Sequence, residues 1–229
     1  MVFAPCIARA QTALFARDVE SRVVAGVGTA VESVADLHLR LLGPLTLLRS
    51  GTPLALPPSR KVRALIAYLA LAPRAVARSH LCELLWDLPN DPRGELRWCL
   101  SKTRALLDEP RRARVQAEGE TLRLDLSDVA VDALELHAAV QAGIATLAVE
   151  RLRALCALAG GEFLQGLEIG RSAPWSAWLI GQRRRCRAAQ AALLEHLARA
   201  LDPGCDEALT RLEHWLKLAP FDRHAHGMM

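Results

Sequence analysis

The residues with most chemical reach in this chain are cations rather than nucleophiles. Arg97 and Ser101 are four residues apart and Lys102 follows Ser101, which on a helix at about 100° per residue places the three on one broad face. An Arg there can bridge the O6 and N7 of a guanine, while Ser and Lys reach base edges or phosphates. Around them stand further cations suited to phosphate contact: Arg60, Lys61, Arg63, Arg78, Arg93, Arg104, Arg111, Arg112 and Arg114. Such contacts would hold a duplex in register without reading its sequence. Residues that could support other chemistry lack the spacing for it. The chain contains no GxxxxGK[ST], GxSxG or HExxH motif and no Cys/His metal spacing. No enzyme, metal site or cofactor is therefore expected. His224 and His226 read as a surface pair, and Asp108-Glu109 as a helix end without a general-acid partner.

The elements that must position these cations are legible from periodicity and punctuation. Asp91-Pro92 offers an N-cap followed by Pro at the first helical position, so a helix is expected over Pro92–Leu107. Its Leu96, Leu100, Thr103 and Leu107 form one stripe, with Cys99 at the edge, to be buried. Arg97, Trp98, Ser101, Lys102 and Ala105 lie opposite, and Arg93 and Arg104 at the margins. An ordinary amphipathic helix with a solvated basic face would look the same, so the neighbours matter. Leu37, Leu39 and Leu41 alternate with polar residues as a strand, stopped by Gly43-Pro44. Residues 45–48 and 52–56 make two more strands about a Ser50-Gly51 turn. Ser59 caps a helix carrying Val62, Leu65, Ile66 and Leu69, and Ser79 is expected to cap a shorter one. After Leu107, residues 115–117 and 122–126 read as a hairpin about Glu118-Gly119-Glu120. Three strands, three helices and a hairpin match a winged helix-turn-helix preceded by a sheet.

Beyond Asp128 the pattern is helical throughout, with helices expected over 131–142, 148–159, 175–201 and 207–218. The last resembles the second helix of a tetratricopeptide repeat. The fold class is thus mainly α with a small β component: a winged helix-turn-helix over 37–127, then an all-α tetratricopeptide-like domain over 128–229. Residues 1–36 form an N-terminal extension without strong periodicity.

Composition agrees with this division. The chain has 229 residues, 52% hydrophobic, 24% charged and 4% aromatic, with a net charge of +4. Residues 37–126 hold 15 Lys/Arg against 9 Asp/Glu, whereas the remainder is slightly acidic. A basic half beside a mildly acidic half suggests an anionic partner for one part only. The six cysteines are scattered without CxxC pairs and read as reduced, cytoplasmic, small hydrophobes. No run approaches the roughly 18 apolar residues of a membrane span, and Arg9 interrupts the apolar N-terminus. The run Arg183-Arg184-Arg185-Cys186-Arg187 is read as pairing with acids rather than touching nucleic acid.

These residues resemble a family of bacterial transcriptional activators, the Streptomyces antibiotic regulatory protein type. Its members join an OmpR-like winged helix to a bacterial transcriptional activation domain. The resemblance is carried by LRLLGPLTLLRSGTPLALPPSRKVRALIAYLAL, SHLCELLWDLPNDPRGELRWCLSKTRALLDE, GGEFLQGLEIGRSAPWSAWLIGQRRRC and LAPFDRHAHGMM. Most specific is the combination of Leu-Trp before the loop, Ser-x-x-Arg in the third helix, Gly-Glu-Phe-Leu, and Trp178 with Arg183. It implies a sequence-specific regulator in the bacterial cytoplasm, associated with the nucleoid. Double-stranded DNA at promoter repeats would be bound by two or more protomers, as in a homodimer on DNA, and RNA polymerase recruited. The loop Asp87, Leu88, Pro89 and Asn90 would face polymerase. The resemblance also implies a longer helical domain, so the one present is expected to be truncated. Two departures stand out. Glu120-Thr121-Leu122 replaces the Gly-Tyr usual in the wing, and Gly94 and Trp98 occupy unusual positions. They motivate a second reading, a helical-repeat interaction module whose winged helix no longer binds DNA.

Overall fold

The computed structural model describes residues 36–87, 91–170 and 172–228; of the N-terminal extension 1–36, all but Asp36 lies outside them. The leucine alternation produces β1 (Leu37–Arg40), which pairs antiparallel with β2 (Thr46–Arg49), which in turn pairs with the two-residue β3 (Thr52–Pro53). Leu37, Leu39 and Leu47 are buried. The expected third strand is thus shorter than 52–56: its pairing ends at Pro53, followed by a last bond from the Leu54 N–H to Leu47 O at 2.8 Å. Ser50 and Gly51 turn the hairpin with φ of 46° and 79°.

Three helices follow: α1 (Arg60–Leu71), α2 (Arg78–Leu85) and α3 (Pro92–Leu107). Ser59 caps α1 as expected, accepting from the Val62 N–H at 3.4 Å. The cap expected of Ser79 is overturned: α2 begins at Arg78, behind Ala77 and without a side-chain cap. The cause is a strand not foreseen, β4 (Val76–Ala77), which pairs with the wing and feeds straight into the helix. The wing consists of β5 (Val115–Glu118) and β6 (Thr121–Leu124), in the order β4-β6-β5. A second unforeseen strand, β7 (Val129–Val131), lies parallel to β1 and completes a sheet of order β3-β2-β1-β7. Parallel pairing requires a crossover, here the three helices and the wing. β7 follows residue 127, yet belongs to the first sheet.

The helical half comprises α4 (Asp132–Ala142), a 3-10 turn (Ile144–Thr146), α5 (Val149–Leu158), α6 (Ala173–Ala200), α7 (Asp206–Leu218) and the short α8 (Arg223–Gly227). It is fused to the first half by polar bonds at its seams. Asp132 is buried, and its carboxylate accepts from the N–H groups of Leu41 (2.8 Å), Leu42 (2.9 Å) and Ala133 (2.7 Å). Burial raises its pKa above the ordinary carboxylate value despite those donors. The Gly-Glu-Phe-Leu motif docks on the end of β1. Gly43 N–H donates to Glu162 O at 3.0 Å, and Leu164 N–H to Leu41 O at 2.8 Å. A Cβ on Gly161 would come within 2.9 Å of Gly43 Cα, so glycine is what permits this approach.

Arg183 then clamps the motif from α6, donating to Phe163 O and Leu164 O at 3.1 Å and to Glu168 at 2.9 Å. Trp178, one turn earlier, packs against Phe163, Trp175 and Tyr68 of α1. Ser172 caps α6 through the Trp175 N–H and donates to Leu84 O of α2 at 2.6 Å. The motifs of the helical half therefore build its junction with the winged helix. One hydrophobic core runs from Leu37 to Leu197, with a satellite of Leu194, Leu212, Trp215 and Ala225.

Candidate nucleic-acid interface

The cap expected at Asp91 forms: its carboxylate accepts from the Gly94 N–H at 3.0 Å, with Pro92 in the first turn. Glu95 near the N-terminus and Arg104 in the last turn complement the helix dipole. Leu96, Cys99, Leu100, Thr103 and Leu107 are all buried, and the Thr103 hydroxyl is satisfied by Cys99 O at 2.9 Å. Burial pushes the Cys99 thiol up to about 11, which leaves it an inert core group. Gly94 stands directly beneath the cap. A Cβ there would lie 2.2 Å from Asp91 Oδ2.

The opposite face is open. Ser101 and Lys102 are exposed, and the Arg97 side chain is 73% exposed, 3.8 Å from Asp91. Lys102 Nζ lies 5.7 Å from the centroid of the Trp98 ring, itself half exposed. The Trp98 position is thus a cation–π platform on the surface. On the side toward the wing, Arg78, Arg93, Arg97 and Arg104 line a groove of about 430 Å³ closed by Gly119 and Glu120. Arg93 reaches Glu120 at 3.5 Å, with both side chains about two-thirds exposed. Exposed pairs of this kind are worth little in water, so these guanidinium groups remain available to a stronger anion.

The outer cations divide. Arg60 and Arg111 are exposed; Arg60 also donates to Glu168 O at 3.3 Å. Arg78 donates to Gly119 O at 3.4 Å and so ties α2 to the wing turn. Lys61 is half-buried, 5.0 Å from the Trp86 ring centroid, and Arg63 donates to Pro57 O at 2.7 Å. Arg114 is a correction. It is 2% exposed and its guanidinium is held by Asp128 and by Glu109 at 3.2 Å, so it is a core group and not a phosphate contact. Arg112 joins the same network through Asp125 at 3.0 Å, Asp128 and Ser127. Hydrogen bonds from these arginines hold the Asp128 carboxyl below the ordinary carboxylate range. Asp125 is held low as well: burial raises it, but the Ser127 N–H and Arg112 outweigh that. A local count of positive charge could not foresee this, because Asp128, which holds Arg114 with two hydrogen bonds, comes from across the hairpin.

Arg123 was not singled out from the sequence. It is exposed on β6 between buried Leu122 and Leu124, and the alternation Leu-Arg-Leu is the signal that could have found it. Of the loop expected to face polymerase, Asp87 is exposed; Leu88, Pro89 and Asn90 lie outside the described residues. Arg183 and Arg187 of the second basic run pair with Glu162, and Arg183 also with Glu168. No described helix is long and apolar enough to cross a membrane.

No family model matches the chain, and no curated protein does. Among solved structures it is similar to Mycobacterium tuberculosis EmbR in complex with a low-affinity phosphopeptide. The TM-score is 0.59 and the identity 24%, over 84% of this chain and 53% of that one. This chain therefore spans about half the length of EmbR. The likeness agrees with the order of elements: the chain has an EmbR-like fold, a winged helix-turn-helix followed by a helical domain.

Proposed function

We propose that this chain is a sequence-specific, DNA-binding transcriptional regulator, with residues 37–127 as the reading unit and 128–229 as the partner-binding unit. The observation that carries this reading is the open basic face of α3 beside a wing, on a winged helix-turn-helix. In such folds the third helix enters the major groove. Arg97, Ser101 and Lys102 would meet bases. Arg60, Arg78, Arg93, Arg104, Arg111 and Arg123 would meet phosphates, with half-buried Lys61 and Arg63 secondary. The resemblance to the Streptomyces antibiotic regulatory type extends the proposal to activation: protomers side by side on promoter repeats in the bacterial cytoplasm, and RNA polymerase at the loop from Asp87.

Selecting bound duplexes from a random pool, then titrating the winner at two salt concentrations, tests it. If about 6–10 phosphates are contacted, affinity falls by roughly 10³–10⁵ between 50 and 200 mM salt. Failure to select any duplex overturns the reading.

A half-exposed Trp98 on this face favours one alternative, a protein-interaction module that no longer binds DNA. A partner still captured after Arg97→Ala and Lys102→Ala but lost with Trp98→Ala, together with no duplex selected, would establish it.

A further inference from the structure

A second basic concavity lies in the helical half, remote in sequence from α3. It is a half-open cavity of about 310 Å³ between the end of α5, the Gly160-Gly161 segment, α6 and α7. That volume is at the lower end of those that hold small molecules. Its walls combine two chemistries. Cys156, Ala159 and Leu218, part-exposed over the buried Phe163, Leu193 and Leu194, supply apolar surface, whereas Arg183, Arg187, Arg211 and Lys217 bring four cations to a wall whose one carboxylate is Glu162, with Glu168 and Glu207 behind Arg183 and Arg211.

The cations are not equally committed. Arg183 is spent on Glu168 and on the carbonyls of residues 163 and 164. Arg187 reaches only the exposed side of Glu162, at 3.3 Å. Arg211 meets Glu207 at 3.5 Å, but its Nε is buried without a hydrogen-bond partner. Lys217 and His214 are exposed, and neither is in an ion pair among the described residues. A buried donor left unpaired costs free energy, and an excess of cations in a partly dry cleft raises the local concentration of anions.

From this pairing of an apolar wall with one unpaired cation, Lys217, and two held only by single long ion pairs, Arg187 and Arg211, we infer that the cavity binds a small organic acid, an apolar body carrying one carboxylate. The carboxylate is placed by Lys217, Arg187 and Arg211, and the body lies against Cys156, Ala159 and Leu218. Glu162 and Phe163, which line the cavity, belong to the segment hydrogen-bonded to Leu41 and Gly43. Occupancy therefore also stiffens the seam between the two halves.

Calorimetric titration of the whole chain with octanoate, acetate and 1-octanol tests the site. Octanoate is expected to bind saturably with Kd of about 1 mM or tighter, and acetate and octanol at least tenfold more weakly. Lys217→Glu, at an exposed position, weakens octanoate about tenfold or more with unchanged circular dichroism. Hydrogen exchange at residues 41–43 and 162–165 slows with octanoate bound. No heat with octanoate, equal affinity for octanol or acetate, or indifference to Lys217→Glu overturns the assignment. Neither outcome depends on whether the chain binds DNA.

Discussion

Arg97 and Arg114 show how little residue type says about role until the surroundings are known. Both are arginines near the wing, but Arg97 projects into solvent beside Asp91 and Arg114 is enclosed by Glu109 and Asp128. Arg97→Ala or Lys102→Ala is expected to cost about 1–3 kcal/mol at the selected duplex and far less on random DNA, read by fluorescence anisotropy. Arg114→Met should leave DNA contacts intact and cost about 2 kcal/mol of stability, the scale of a lost hydrogen bond to a charged group. Thermal unfolding would separate the two behaviours. Gly94 gives a sharper case. A helix-interior Gly→Ala change ordinarily stabilises by about 0.5–1 kcal/mol. Here the new methyl would displace the Asp91 carboxylate from its cap, whose loss costs about 1 kcal/mol. Gly94→Ala should therefore give no net gain in the native chain, yet stabilise in an Asp91→Ala background. Urea unfolding of the four proteins decides this; a gain in both backgrounds would refute the cap explanation.

The element most dependent on ionisation is the wing. Its base is closed by Arg112 and Arg114 on Asp125 and Asp128, both of whose pKa values are lowered by folding. A carboxylate lowered in the fold stabilises it above its ordinary pKa, about 4, and that contribution is lost as the pH falls below this range. Asp132 works in the opposite sense. Its raised pKa means that the fold favours the protonated form, so stability gains as the pH falls through its folded value. Both aspartates of the wing should therefore lower the protection of the wing amides, taken against their intrinsic exchange rates, near pH 3 while the junction at Asp132 keeps its own. Asp128→Asn should flatten the acid limb of the wing's exchange profile and lower its protection at pH 7. An unchanged profile would show that Arg112 and Arg114 are held by packing alone.

At the scale of the molecule, the two halves share one core and one sheet. Because β7 and Asp132 lie past residue 127, a fragment of residues 36–127 would lack the parallel neighbour of β1 and the acceptor for the Leu41 and Leu42 N–H groups. It should unfold at a lower temperature than a fragment of residues 36–142 and show poorer amide dispersion. In the whole chain Gly161→Ala should cost about 1–3 kcal/mol, the usual scale of overpacking, because the methyl meets the Gly43 backbone. Calorimetry is expected to show a single cooperative transition for the native chain; two resolved transitions would mean that the seam is weaker than its hydrogen bonds indicate.

Much of this protein is legible locally. The caps at Ser59 and Asp91, the leucine stripe of α3, the open face with Arg97, Ser101 and Lys102, and the long helices depend on periods and neighbours within a few residues. Those features follow from backbone geometry, which the sequence alone specifies. Tertiary structure decided what is non-local. β4 and β7 are too short to show a period and exist only because Leu122 and Leu37 offer them a ladder. Arg114 was turned inward by Asp128, 14 residues away beyond the wing hairpin, together with Glu109 at the end of α3. Gly-Glu-Phe-Leu and Trp178, legible as motifs, acquired their purpose only at the seam, where a missing Cβ and the half-buried Arg183 let two halves share one interior.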